Sequence, residues 1–132
     1  MSVGLLLITH NDIGEQMLHT ACATLGLCPL PTRSLAVVQD SDPDRMLAHC
    51  GQLLRELDDG GGVLVLTDAF GSTPSNIAAR LGRHPKVAVV AGLNLPMLLR
   101  VMNYPQLQLE ELRQKAVSGG KCGVVPIEPD QA

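Results

Sequence analysis

The sequence predicts an α/β fold: a doubly wound, mainly parallel sheet of order 2-1-3-4 with helices on both faces, and a C-terminal edge strand able to run antiparallel. Three observations carry this. Four short runs, "VGLLLIT", "SLAVVQ", "GVLVLTD" and "KVAVVAG", are almost wholly apolar, as strands buried on both faces are. Segments with apolar residues at helical spacing separate them. Gly, Pro and short polar residues fall at the joints, where caps and turns need them.

The elements follow in order. Strand one is read over 3–9, and Ile13, Met17, Leu18, Ala21 and Leu25 make one face of a helix from Asp12 to a stop at Gly26. After the Pro-punctuated "CPLPTR", strand two is read at 34–39. Ser41 or Asp42 caps the next helix with Pro43 in its first turn, and Met46, Leu47, Cys50, Leu53, Leu54 and Leu57 share a face that ends at "DDGGG". Strand three is read at 62–68 and a capped helix begins in "STPSNIAARLG". Strand four spans 86–92, and Asn94 caps a helix with Pro96 in its first turn. "LQLEELRQKAV" predicts a fifth helix stopped by Gly119 and Gly120, then "CGVVPI" a last edge strand, since Pro126 disfavours a central one. A polar tail starts at Glu128.

At 132 residues, with 45% hydrophobic and 17% charged residues, the chain predicts one domain over 1–132 with one sizeable core. A net charge of -3, one Tyr, one Phe and no Trp offer neither a basic field nor a stacking platform, so nucleic acid is not expected as a partner. No basic segment precedes the opening apolar run, which is far shorter than a membrane span; a cytoplasmic protein is expected, peripheral to a membrane permease at most. Cys22, Cys28, Cys50 and Cys122 show no CxxC pattern and are expected to be reduced packing residues. His10, His19, His49 and His84 form no metal-ligand pattern, so neither metal nor cofactor is expected. His19 and His49 read as surface or packing residues, the methionines as core filling, and "DDGGG" lacks the spacing and the following Lys-Ser/Thr of a phosphate loop.

In a sheet of this order ligands bind beyond the carboxyl ends of strands one and three, where the winding reverses. That places "THND" beside "TDAFGSTPSN" and sets His10 opposite Asp68. A carboxylate bonded to one imidazole nitrogen fixes the tautomer, leaves the other lone pair free to attack and stabilises positive charge that builds on the ring. Ser72 and Thr73 precede Pro74 at a helix start, where N–H groups and hydroxyls can receive an anion. Each feature alone has an ordinary structural use; together they predict phosphoryl transfer.

These residues resemble those of a known family. The blocks "ITHNDIGEQML", "GVLVLTDAFGSTPSNIAARL", "VAVVAGLNLPMLL" and "SGGKCGV" are similar to the enzyme IIA component of the bacterial phosphoenolpyruvate-dependent sugar phosphotransferase system, mannose/fructose/sorbose type. The likeness runs from about Ser2 to Val125. It implies that His10 is transiently phosphorylated on Nε2, that Asp68 is its partner, and that Ser72 and Thr73 lie near the phosphate. It also implies receipt of the phosphoryl group from the phosphocarrier protein HPr, delivery to a IIB component, and a homodimer whose C-terminal strand can pair across subunits. The chain ends at Ala132, so the IIB acceptor is expected on a separate polypeptide, for sugar uptake or for regulation. Mannose-type sequences often place an aromatic after the active histidine and another after the aspartate; here Asn11 and Phe70 stand there, so partner preference can differ.

Two rivals use the same crevice. One is a receiver-like domain phosphorylated on Asp68 with Lys121 assisting near the last strand, although strand four ends in "VAG" without the Ser or Thr such a site wants. The other is a non-enzymatic module binding a small anion or nucleotide, with His10 as a contact.

Overall fold

A computed structural model describes residues 1–131. The elements are β1 (Gly4–His10), α1 (Ile13–Leu25), β2 (Thr32–Val37), α2 (Pro43–Leu57), β3 (Val63–Thr67), α3 (Thr73–Leu81), β4 (Val87–Ala91), α4 (Leu95–Met102) and α5 (Leu109–Cys122), then a 3₁₀ turn at Pro129–Gln131. The four strands are parallel in the order β2-β1-β3-β4, as the sequence predicts.

Both faces of the sheet are covered because β1 is apolar from Gly4 to Ile8 and β3 from Val63 to Leu66. Leu5, Leu7, Leu64 and Leu66 point into one layer with Leu98, Val101 and Leu112, beneath α1, α4 and α5. Leu6, Ile8, Val63 and Val65 point into the other with Leu53, Leu57, Ile77 and Leu81, beneath α2 and α3. Burial of a Leu or Ile side chain stabilises by roughly 1.5–3 kcal/mol, so these layers dominate the fold's energetics. Of the methionines, Met97 and Met102 are buried in the first layer, while Met17 and Met46 pack against the two layers.

The caps largely follow the sequence. Asp42 caps α2 by accepting from the Asp44 N–H at 3.0 Å, and Ser41 instead closes the preceding turn, its Oγ accepting from the Val38 N–H. Asn94 caps α4 through the Met97 N–H at 2.8 Å. Gly26 ends α1 with φ of 80, the left-handed cap that glycine adopts without strain. β2 begins two residues earlier than predicted, because Thr32 and Arg33 lie on the sheet's outer strand and need not be apolar to pair with Leu5 and Leu6.

Three expectations are overturned. α5 does not stop at Gly119 and Gly120 but runs through them to Cys122. A Cβ on Gly119 would lie 2.5 Å from the Cβ of Arg100, and one on Gly120 2.8 Å from Cε of Met97, so these glycines let α5 press against α4. Because the helix occupies that segment, no strand starts at Cys122, and residues 124–128 have no regular structure. Finally, Cys22 and Cys28 are not reduced packing residues: they are joined as a disulfide, because the turn at Gly26 swings Cys28 back to a Cα–Cα distance of 5.0 Å from Cys22. Cys50 is buried and free, and Cys122 is free and exposed.

Candidate functional site

The register of the central strands builds the site. Ile8 of β1 stands opposite Thr67 of β3, so His10 and Asp68 both emerge at the carboxyl edge of the sheet, at the switch point. The ring Nδ1 of His10 lies 2.8 Å from Oδ2 of Asp68, and the backbone N–H of His10 donates to that same oxygen at 3.1 Å. One carboxylate oxygen thus fixes both the ring and the main chain of His10. In the neutral ring, a carboxylate acceptor at Nδ1 favours the tautomer with its proton there and the lone pair on Nε2.

Exposure separates the two side chains. That of His10 is 45% exposed and that of Asp68 only 13%, so the imidazole meets solvent while the carboxylate that holds it lies inside. Burial pushes the Asp68 carboxyl up, but hydrogen bonds from the His10 ring, the His10 backbone and Asp68's own backbone, with the charge of His10, outweigh it and hold the carboxyl below its ordinary range. The other oxygen, Oδ1, is buried with no hydrogen-bond partner among the described residues, as is Oγ1 of neighbouring Thr67.

The turn after His10 depends in part on Thr9 and Gly14, to which the sequence reading gave no role. Asn11 takes a left-handed φ of 50, a conformation Asn tolerates better than most residues, and its N–H donates to Val37 O at 3.0 Å, tying the end of β1 to that of β2. Asp12, at the N-cap of α1, makes no side-chain cap. The fully buried Thr9 replaces it: its Oγ1 accepts from the Gly14 N–H at 2.9 Å. Gly14 is needed because a Cβ there would lie 2.9 Å from Ser34 Oγ and 3.1 Å from both Cγ2 and Oγ1 of Thr9. The signal was available in a buried threonine next to the histidine, but strand periodicity gives no hint of a cap five residues away.

His10 opens into a cleft of about 440 Å³ whose walls include Val37, Val38, Asp40, Ser41, Thr73 and Pro74. Asp40 is also left-handed, with φ of 70, so the two non-glycine residues in that conformation among the described residues both border this cleft. Thr73 is exposed and shares the cleft with His10; Ser72 is the N-cap of α3, and its hydroxyl donates to Ala69 O. No side chain caps α3, and its first residues, Thr73 and Pro74, wall the cleft, where the positive end of a helix favours an anion. Lys121 lies exposed on α5 rather than beside a last strand, and Asp68 is already engaged by His10, an arrangement unlike a receiver's. His19, His49 and His84 are exposed, and none of them lines this cleft; His84 Nδ1 accepts from the Lys86 N–H. Among the described residues no three His, Cys, Asp or Glu side chains gather as a metal site, and no helix is long and apolar enough to cross a membrane.

Comparison with known proteins gives this geometry a family. The family described as the PTS system fructose IIA component matches residues 4–117. The chain belongs to it. It is 30% identical over 131 residues to the mannose-specific EIIAB component of Escherichia coli (strain K12), covering 97% of the chain and 40% of that protein. The chain therefore spans about two fifths of the length of the curated relatives it matches first. Among solved structures, the mannose/sorbose specific IIA subunit from Enterococcus faecalis superposes with a TM-score of 0.86 at 27% identity, covering 97% of this chain and 96% of that one. The PTS IIA protein associated with the fucose utilization operon of Streptococcus pneumoniae follows with a TM-score of 0.73 at 26% identity, covering 89% and 93%. The four-stranded 2-1-3-4 sheet is thus that of a phosphotransferase-system IIA component.

Proposed function

We propose that this IIA component is a phosphoryl carrier in which His10 accepts a phosphoryl group from phosphorylated HPr and passes it to a IIB component, in sugar uptake or its regulation. The observation that carries this is the 2.8 Å contact between His10 Nδ1 and Asp68 Oδ2, with the opposite ring nitrogen left free. In the forward step the Nε2 lone pair forms a new N–P bond in line with the N–P bond that breaks, and the donor histidine leaves with that electron pair. The Nδ1 proton stays in the hydrogen bond to Asp68, whose charge offsets the cationic ring of the product. Such a transfer asks for positioning and charge stabilisation rather than a metal. Thr73 and the open N-terminus of α3 would receive the phosphoryl oxygens, and Ser72 would shape that turn through Ala69.

The chain would act in the cytoplasm, peripheral to a permease, and as a homodimer. β4 is an outer strand of the sheet, so one side of its backbone is unpaired. A groove of about 540 Å³, walled by Thr67, Phe70, Arg83, Val87, Val89 and Ala91, runs between it and α3. Val124, Val125 and Ile127 follow α5 with 78%, 64% and 80% of their surfaces exposed, an apolar segment suited to pairing with the β4 edge of a second copy.

Incubation with phosphoenolpyruvate, enzyme I and HPr should label the chain, and His10→Ala should abolish labelling. Undiminished labelling of that variant would overturn the proposal, and a wild-type chain that takes no label while binding small anions would favour the binding-module reading.

A further inference from the structure

The cysteine pair lies outside the phosphoryl site, and two independent anchors bring it together. Cys22 sits in the last turn of α1, half-buried against the core layer under that helix. Gly26 then reverses the chain, its N–H donating to Cys22 O at 2.9 Å. On the far side Leu30 is buried, at 2% exposure, and Pro31 O accepts from the Leu5 N–H at 2.9 Å, so the return segment is pinned to β1. Cys28 hangs between these anchors, exposed to solvent and six residues from its partner.

The other cysteines are placed differently. Cys50 is fully buried, and burial pushes its thiol up to about 12, leaving it protonated and inert. Cys122 is exposed but is the last residue of α5, far along the chain. The pair also sits at the opposite end of α1 from His10, about 20 Å away for a helix of this length.

We infer that Cys22 and Cys28 form a reversible dithiol–disulfide couple that exchanges with small thiols of the glutathione class. In the oxidising direction the exposed Cys28 thiolate attacks a small disulfide, forms a mixed disulfide and expels one small thiolate. Cys22, as thiolate, then attacks Cys28 Sγ, closes the protein disulfide and expels the second. The two protein thiols give up two protons and two electrons, and one external disulfide becomes two thiols. Excess small thiol runs the same steps backwards. Closing the bond ties the end of α1 to the approach of β2 and restricts the unfolded chain, so oxidation raises stability without touching the phosphoryl site.

The test equilibrates the intact protein in glutathione buffers of stepped thiol-to-disulfide ratio, quenches in acid, alkylates after denaturation and maps the peptides by mass. Oxidising buffers should yield a chain lighter by two hydrogens with a Cys22–Cys28 cross-linked peptide. Cys50 and Cys122 should remain alkylatable, excess reduced glutathione should restore all four thiols, and the oxidised form should melt several degrees higher. Cys22→Ser/Cys28→Ser should fold, lose the redox dependence of melting and keep its labelling from HPr. Alkylatable Cys22 and Cys28 at every ratio, a stable glutathione adduct on Cys28, or a bridge that excess reduced glutathione cannot open would overturn the inference. So would a redox-dependent melting point that survives in the double variant. Failure of the His10 reading would leave these outcomes unchanged, since none but the labelling control depends on phosphate.

Discussion

Asp68 Oδ2 accepts two hydrogen bonds from one residue, from the His10 ring at 2.8 Å and from the His10 main chain at 3.1 Å. The carboxylate therefore sets the position of the His10 ring as well as its tautomer, the proposed nucleophile being the ring's other nitrogen. Asp68→Asn can keep the shape of the pair, but it offers an amide where a full negative charge is wanted. Phosphoryl transfer to His10 should fall by about 10²-fold or more, the scale on which small misplacements of reacting groups act. Stopped-flow quench with phosphorylated HPr checks this; wild-type rates would remove Asp68 from its assigned role.

The same pair makes stability depend on pH in a defined direction. Asp68 is depressed in the folded protein, so the unfolded chain binds its proton first as pH falls. Its contribution is present in full above the unfolded value near ~3.9 and is lost as pH falls through the folded value. Urea unfolding of the wild type and Asp68→Asn should therefore differ most at neutral pH, by roughly 1–3 kcal/mol for a hydrogen bond to a charged group, and should converge in acid below the folded value. A difference that grows on acidification would contradict that sign.

Thr9→Val keeps the shape of a fully buried side chain but removes the acceptor for the Gly14 N–H. The loss of a cap costs about 1 kcal/mol, or a melting shift of about 4 °C for a chain of this size. Because this cap shapes the turn that carries His10, labelling by HPr should slow as well. An unchanged rate with a lowered melting point would confine Thr9 to stability.

Gly119→Val would drive side-chain atoms into Arg100 on α4, where even a Cβ comes too close. Overpacking of this kind costs about 1–3 kcal/mol. Thermal melting reads it directly, and a stable Gly119→Val chain would show that α5 can move away from α4.

Val125→Lys places a charge in the exposed apolar segment proposed to pair with β4 of a second copy. Sedimentation equilibrium should show wild-type dimers and a variant shifted towards monomer. A monomeric wild type would remove the dimer from the account.

What the sequence displayed was what neighbouring residues decide. The uninterrupted apolar runs of β1 and β3, the Asp42 and Asn94 caps and the Gly26 stop are local, and all stand in the structure. His10 and Asp68 were legible together because the strand order fixes which loops meet, 58 residues apart in sequence. Long-range packing decided the rest. Gly119 and Gly120 read as a helix stop until α4 lies against them, and Cys22 and Cys28 read as unrelated until the Gly26 turn is folded. The Thr9 cap and the left-handed Asp40 wall of the cleft depend on β1, α1 and β2 meeting at one edge, which no single window of sequence contains.

The central claim is that the phosphoryl group resides on Nε2 of His10. Peptide mapping and ³¹P NMR of the chain phosphorylated by HPr test it most directly. The account predicts one phosphoramidate, acid-labile and base-stable, on Nε2 within the peptide that contains His10. A base-labile acyl phosphate on Asp68, or phosphate on any other histidine, would contradict it.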